Sequence, residues 1–256
     1  MYPFERLEKI TERLQASGQI KIHEDARRFG VSKATLHRDL DLLERQGLLI
    51  KVRGGAVLRE RLRVDTHFHN RRRTAVAEKQ KIAAAAAAGI RDDTSIFLDH
   101  SSTVAYLAEA LARRAFRNLI VVTNSLAVPG LLGNVLGIQT ILTGGRVEPD
   151  FQALSGRWVI ESFRSFNFHQ VFVSCGAVTA EGFLTQTPFI HEILCEILNR
   201  SGVEINMLVD SSKFQKIATF RVAPLKAAAK LYTDAGVPKG IRERLQAAGV
   251  PLVVAS

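Results

Sequence analysis

Between residues 31 and 40 the chain reads Val31-Ser32-Lys33-Ala34-Thr35-Leu36-His37-Arg38-Asp39-Leu40. This pattern predicts the recognition helix of a helix-turn-helix. Ser32 is a suitable N-cap, and Leu36, Leu40 and Leu43 recur at i, i+4 and i+7, which gives one apolar stripe. An ordinary surface helix with a charged face is the alternative interpretation. We expect the polar side of the helix to meet DNA through these residues: Ser32, Lys33, Ala34, Thr35, His37 and Arg38.

The sequence on both sides favours the helix-turn-helix. Leu7, Ile10 and Leu14 have helical spacing, and Gly30 can close a preceding short helix in the left-handed conformation. We predict helices over 4–17 and 23–29, a strand over 19–22 and a hairpin formed by 48–52, Arg53-Gly54-Gly55-Ala56 and Val57-Leu58. This order is that of a winged helix-turn-helix over residues 1–58. In that module the hairpin lies against the DNA backbone, which makes Lys51 and Arg53 expected phosphate contacts.

The charge of the chain is concentrated at its N-terminal end. The 256 residues carry a formal net charge of +10, and 46% are hydrophobic. Residues 1–73 hold 17 Lys or Arg against 10 Asp or Glu, whereas the remaining 183 residues hold 18 against 15. A basic end on a nearly neutral body indicates a polyanionic partner at that end, and the predicted helix-turn-helix favours double-stranded DNA as that partner.

Several classes of protein are disfavoured by the sequence. The chain begins Met1-Tyr2-Pro3-Phe4-Glu5-Arg6, which is unlike a signal peptide, and its longest uncharged apolar run, 82–90, is too short to span a bilayer. Cys175 and Cys195 are too few for a disulfide framework or a zinc site. His67-Phe68-His69 is too isolated for a metal site. We therefore expect a cytoplasmic protein without membrane segment, metal or cofactor.

Residues 59–77 are predicted to be a basic linker. They have no apolar period and carry six arginines: Arg59, Arg61, Arg63, Arg71, Arg72 and Arg73. Such a segment can lie along phosphate, but a solvated connector is the commoner case.

From residue 78 to 256, predicted helices and apolar strands alternate. We predict strands near 95–99, 118–123, 138–142, 171–174, 205–209, 230–233 and 251–254, with helices at 78–90, 102–114, 125–136, 155–166, 189–200 and 238–248. Apolar strands separated by helices are typical of a mostly parallel sheet covered on both faces, so the fold class is α/β.

Polar residues follow five of these strands. Ligands of parallel α/β sheets bind beyond the carboxyl ends of the strands, where hydroxyls and helix N-terminal amides suit an anion. Each loop by itself is more often a capped turn, but five in one sheet favour a small polar, anionic ligand. The predicted effector-binding residues are Asp99, Ser101, Ser102, Thr103, Asn124, Ser125, Gly144, Gly145, Cys175, Gly176, Asp210 and Lys213.

The N-terminal motifs resemble the DeoR family of bacterial transcription regulators. The similarity is carried by Gly18-x-Ile20-x-Ile22, by Phe29-x-Val31-Ser32-x-x-Thr35-Leu36-x-Arg38-Asp39-Leu40-x-x-Leu43-x-x-x-Gly47 and by Arg53-Gly54-Gly55-Ala56. In the body it is carried by Asp99-x-Ser101-Ser102-Thr103, Thr123-Asn124-Ser125, Gly144-Gly145, Gly156, Asp210-x-x-Lys213-Phe214 and Thr233-Asp234. Four departures are His37 where the family usually has arginine, Asp25-Ala26 where it often has Glu-Leu-Ala, Ser101-Ser102 in place of Gly-Thr, and Glu196-Ile197 in place of a Lys-Arg pair.

The resemblance implies a fold like that of ribose-phosphate isomerases and coenzyme A transferases, used as a sensor for phosphorylated sugars. It also implies a repressor of a sugar or polyol catabolism operon, released from its operator by a small sugar-phosphate-like effector or a polyol. We expect a homodimer or homotetramer, so that two recognition helices reach successive major grooves.

Two other interpretations are open. A phosphosugar isomerase-like enzyme with an appended DNA-binding domain would use Asp99 or Asp210 as base and Lys213 as electrophile. The sequence lacks the common nucleotide, phosphate-loop and nucleophile-elbow motifs, and a metabolic isomerase has little use for a winged helix. We therefore predict no catalytic residue. A DNA-binding protein with a purely structural body is the third interpretation.

Overall fold

The computed structural model describes residues 3–17, 19–45, 48–52, 54–58 and 67–256, in two units, Met1–Arg63 and Val64–Ser256. The N-terminal unit contains α1 (Pro3–Ser17), β1 (Gln19–Lys21), α2 (Ile22–Phe29), α3 (Lys33–Arg45), β2 (Leu49–Val52) and β3 (Gly55–Leu58). Its strands form an antiparallel sheet in the order β1-β3-β2. The predicted order of elements is confirmed.

The turn between α2 and α3 has the predicted chemistry. Gly30 takes φ 65°, and its amide donates to the carbonyls of Ala26 and Arg27, which ends α2. Ser32 caps α3, since its Oγ accepts from the Thr35 amide at 3.1 Å. The two caps fix the sharp change of direction that presents α3.

The predicted apolar stripe of α3 lies in the core of the N-terminal unit. Leu36 and Leu40 are fully buried, Leu43 is nearly so, and they pack in one cluster with Ile10 and Leu14 of α1. A two-point ion pair ties α1 to α3 beside this cluster. Arg6 donates to Asp39 from Nε at 2.6 Å and from a terminal nitrogen at 2.9 Å.

The segment predicted as a linker, 59–77, is partly helical. Within residues 67–77, α4 (Phe68–Arg73) forms and α5 (Val76–Ala88) begins. Phe68 is buried, Arg72 pairs with Glu109 and lies 4.6 Å from the centre of the Tyr106 ring, and the Tyr106 hydroxyl donates to the Arg72 carbonyl. This end of the segment is therefore packed on the body of the C-terminal unit. The domain boundaries themselves stay a prediction, and Arg59, Arg61 and Arg63 lie outside the described residues.

The C-terminal unit is built on a seven-stranded parallel sheet, as the sequence predicts. Its strands are β4 (Ser95–Leu98), β5 (Leu119–Thr123), β6 (Ile138–Leu142), β9 (Gln170–Val173), β12 (Glu204–Leu208), β14 (Lys230–Asp234) and β15 (Leu252–Ala255). Their order across the sheet is β15-β14-β12-β9-β4-β5-β6. The helices after α4 are α5 (Val76–Ala88), α6 (Ser102–Leu111), α7 (Val128–Leu132), α8 (Arg157–Ser165), α9 (Pro188–Leu198) and α10 (Lys239–Ala247). Two buried apolar clusters cover the two faces of the sheet.

The structure adds elements that periodicity did not predict. An antiparallel sheet joins β10 (Ala177–Thr179), β11 (Gly182–Thr185) and β13 (Phe220–Ala223), and β7 (Arg146–Glu148) pairs with β8 (Ala153–Ser155). The helix predicted over 125–136 is limited to α7, and the one predicted from 155 begins at Arg157 because β8 occupies Ser155. These strands have three or four residues, too few to show an alternating pattern.

Candidate functional site

The outer face of α3 carries the predicted DNA-contacting residues. Lys33, Ala34, His37 and Arg38 are exposed, while the stripe on the opposite side of the helix is buried. The Oγ of Ser32 lies 2.9 Å from the Thr35 hydroxyl and caps the helix. The face thus offers three long polar side chains, and the two hydroxyl residues hold the helix start in shape.

The predicted phosphate contacts of the hairpin differ in their surroundings. Lys51 donates from Nζ to the Asp41 carboxylate, which lowers the pKa of Asp41. A phosphate can replace Asp41 as the partner of Lys51, since an ion pair near the surface is weak. Arg53 lies outside the described residues, so its contact stays a prediction.

A cleft in the C-terminal unit lies beyond the carboxyl ends of β4, β9 and β12. We call it the strand-end cleft; its water-accessible volume is about 20 Å³, so a sugar-sized ligand requires its walls to move apart. Twelve residues line it: Arg71, Asp99, His100, Ser101, Phe151, Ser174, Cys175, Gly176, Thr185, Thr187, Ile190 and Lys213. The predicted residues that reach it are Asp99, Ser101, Cys175, Gly176 and Lys213.

Asp99 is fixed by the backbone around it. Its Oδ1 accepts from the Ser101 amide and its Oδ2 from the Ser174 amide, both at 2.8 Å. Burial raises the pKa of this carboxyl to about 6 in spite of these hydrogen bonds. Asp99 therefore joins the loops that follow β4 and β9 and shapes one wall of the cleft.

Two cationic side chains converge on the cleft from separate elements. Arg71 comes from α4, and Lys213 from the 3₁₀ turn Ser211–Gln215 that follows β12. Burial, together with repulsion from Arg71, lowers the pKa of Lys213, and Asp210 opposes that shift. The cleft thus concentrates positive charge in a partly buried place, which suits an anionic ligand.

A buried lysine connects α4 to the floor of this site. Lys79, 2% exposed, donates from Nζ to the carbonyls of Arg71 and Thr74, and its Nζ lies 4.0 Å from Oδ2 of Asp210. Burial lowers the pKa of Lys79 to about 8. Asp210 also accepts from the amide and hydroxyl of Ser212, so it caps the turn that carries Lys213.

The remaining predicted effector residues lie outside the lining. Asp210 and Asn124 are buried behind the cleft, and Ser125 caps its own turn by accepting from the Ala127 amide. Gly144 and Gly145 lie against α8 and β8, where a Cβ on Gly145 would come within 2.7 Å of the Ser155 carbonyl oxygen. Ser102 and Thr103 are buried in the first turn of α6. Their role in effector binding stays a prediction.

Seven lining residues were missed from the sequence: Arg71, His100, Phe151, Ser174, Thr185, Thr187 and Ile190. His100 lies between Asp99 and Ser101 in the strand-end motif, so its position in the sequence could have identified it as a lining residue. Arg71 was assigned to the linker. Thr185 is the last residue of β11, a strand that periodicity did not predict, and Thr187 follows that strand. Cys175 is buried, which raises its thiol pKa to about 12, so it lines the cleft as an unreactive group.

Residues 3–17, 19–45, 48–52, 54–58 and 67–256 offer neither a metal cluster nor a membrane helix. Among these residues, no group of three or more His, Cys, Asp or Glu side chains is placed to hold a metal ion. No helix there has the length and apolar character that crossing a bilayer requires.

Both units match families of known proteins. Residues 6–61 match the DeoR-like helix-turn-helix domain, and residues 74–235 match the DeoR C terminal sensor domain. The HTH-type transcriptional regulator GolR of Listeria innocua is 32% identical over 255 residues, covering 100% of both chains. The glycerol-3-phosphate regulon repressor of Escherichia coli is 27% identical, covering 92% of each chain. A solved ribose 5 phosphate isomerase A from Neisseria gonorrhoeae aligns at 16% identity over 55% of this chain and 53% of that chain, with TM-score 0.38.

Proposed function

The chain belongs to the DeoR family of transcriptional regulators, and we propose that it represses a sugar or polyol catabolism operon and leaves its operator when a sugar phosphate binds. In this proposal α3 enters the major groove and the strand-end cleft receives the effector. A ligand that prefers one of two arrangements of the protein weakens DNA binding by its difference in affinity for the two.

The observation that carries the effector proposal is the meeting of Arg71 and Lys213 in one cleft. Each cation raises the energetic cost of charging the other, and a phosphate placed between them would relieve that repulsion. The cleft also has a less polar side, formed by Phe151 and Ile190, which suits the carbon skeleton of a sugar. Together these walls favour a small molecule with an anionic end and a sugar-like body.

The geometry gives less support to an isomerase. A catalytic base needs a carboxylate oxygen directed at the substrate. Both oxygens of Asp99 accept from backbone amides, and Asp210 lies behind the lining of the cleft. We therefore propose a sensor without catalysis. We also propose a cytoplasmic homodimer or homotetramer, because paired recognition helices read a repeated operator.

The test uses the full-length protein and a panel of sugars and polyols, each with its monophosphate. We expect at least one monophosphate to raise the melting temperature where its parent compound does not, by mass action on the folded state. The same compound should release the protein from DNA taken from upstream of the genes next to its own, measured by fluorescence anisotropy.

A matched pair of variants tests the assignment of the cleft. Lys213→Met removes a cation of the cleft, whereas Lys226→Met removes an exposed one. We expect the first to abolish the response and the second to leave it intact. A protein that responds to no compound in the panel, or a Lys213→Met variant that responds like wild type, would contradict the proposal.

A further inference from the structure

The imidazole of His100 has a defined orientation. His100 is 4% exposed, and its Nδ1 lies 3.5 Å from Nδ2 of Asn124. The same amide nitrogen donates to the Leu154 carbonyl at 3.1 Å. An amide nitrogen donates and cannot accept, so Nδ1 is the acceptor and the ring proton of the neutral imidazole lies on Nε2.

The imidazole is also held neutral. Burial, with a smaller contribution from the charge of Arg71, lowers the pKa of His100 to about 3. The ring lies beside two aromatic rings, with centroid distances of 6.4 Å to Phe151 and 6.3 Å to Phe189. It is therefore a fixed, uncharged group on the less polar side of the strand-end cleft.

The Nε2 edge of the ring is the one available to a ligand. Asn124 is fully buried and lies behind the cleft, whereas His100 lines the cleft. Among the described residues no protein group accepts a hydrogen bond from Nε2. The nearby carboxylate of Asp99 already accepts from the amides of Ser101 and Ser174.

We propose that His100 is a specificity-determining residue, which donates from Nε2 to a hydroxyl or carbonyl oxygen on the body of the effector. This inference rests on the proposed function, since it concerns a ligand whose anionic end is held by Arg71 and Lys213. It adds a requirement for an oxygen acceptor at a second point of the ligand. An analogue lacking that oxygen leaves the donor unsatisfied in a buried place, so it binds less tightly.

Two substitutions separate the two nitrogens of the ring. The amide of glutamine can occupy the place of Nε2, so His100→Gln keeps the donor in the cleft. The amide of asparagine occupies the place of Nδ1, so His100→Asn keeps the acceptor for Asn124 and loses the donor. Melting curves of the ligand-free variants show whether each is folded.

The probes are the sugar monophosphate that binds wild type most tightly and inorganic phosphate, both measured by calorimetric titration. For the sugar phosphate we expect His100→Gln to stay within about threefold of wild type and His100→Asn to bind on the order of 10-fold more weakly. Inorganic phosphate should bind all three proteins equally, because it reaches the cations alone.

Three results would overturn the inference. His100→Asn could bind the sugar phosphate as wild type does, both variants could lose affinity equally, or inorganic phosphate could lose affinity in parallel. Failure of the proposed function gives a different result, because wild type itself then binds no sugar phosphate. That result would contradict both the proposed function and the role of His100. Independently of any ligand, ¹⁵N-resolved spectra of the free wild-type protein should show the neutral tautomer protonated at Nε2. The opposite tautomer would overturn the role of His100.

Discussion

Acidification should destabilise the folded C-terminal unit through His100. The pKa of this imidazole is about 3 when folded, against an ordinary value of 6.5 in the unfolded chain. As the pH falls from about 7.5 to about 5, the unfolded state binds a proton at this residue and the folded state does not. Stability from this group is therefore complete above about pH 6.5 and is lost progressively as the pH falls towards 3.

The size of the effect follows from the same two values. The pH of 5 lies about 1.5 units below the pKa of the imidazole in the unfolded chain. Protonation of the unfolded state therefore lowers the free energy of unfolding by roughly 2 kcal/mol. Asp99 acts in the opposite direction, since its folded pKa of about 6 exceeds the ordinary 3.8. The stability that Asp99 contributes is lost as the pH rises through 6. When the pH falls from 7.5 to 5, protonation of Asp99 raises the free energy of unfolding by about 1.4 kcal/mol. Wild-type stability alone would therefore conceal most of the effect of His100.

The measurement compares wild type with His100→Asn, which keeps the acceptor for Asn124 and removes the titrating group. Urea unfolding at pH 7.5 and pH 5, followed by circular dichroism and by fluorescence of Trp158, gives four free energies of unfolding. We expect the difference between the two proteins to shift by roughly 2 kcal/mol in favour of the variant at pH 5. His69→Asn, at an exposed position, is the control and should follow wild type. A difference that stays constant between the two pH values would refute the reasoning.

Three further substitutions have defined outcomes. Arg38→Ala should weaken operator binding by about 1–3 kcal/mol at fixed salt and leave the melting curve unchanged, because Arg38 is exposed on α3; equal affinity would remove it from the recognition surface. Leu40→Ala should lower the free energy of unfolding of the N-terminal unit by about 2–5 kcal/mol in urea, since the side chain is fully buried. Lys79→Met should lower the free energy of unfolding by about 2–4 kcal/mol, because the carbonyls of Arg71 and Thr74 lose their donor. Amide hydrogen exchange should become faster across α4 and its junction with α5. Unchanged exchange there would show that Lys79 does not hold this junction.

The sequence by itself determined both units and the end of the sheet at which we propose a ligand site. The stripe of Leu36, Leu40 and Leu43 and the capping residues Gly30 and Ser32 are local signals, because helical periodicity and end caps act over a few residues. The polar residues after the apolar strands are equally local. The buried face and the end caps of each segment could therefore be predicted without knowing which other segments pack against it.

Only the tertiary structure decided which of those polar residues meet. Adjacent strands lie about 4.8 Å apart, so the loops after β4, β9 and β12, which are neighbours, converge on one cleft. β6 lies at the end of the sheet, and Gly144 after it falls outside the lining. Arg71 enters the same cleft from α4, and the orientation of His100 depends on Asn124, which follows another strand. Strand order and helix docking arise from contacts between distant segments, and no pattern within one segment encodes them.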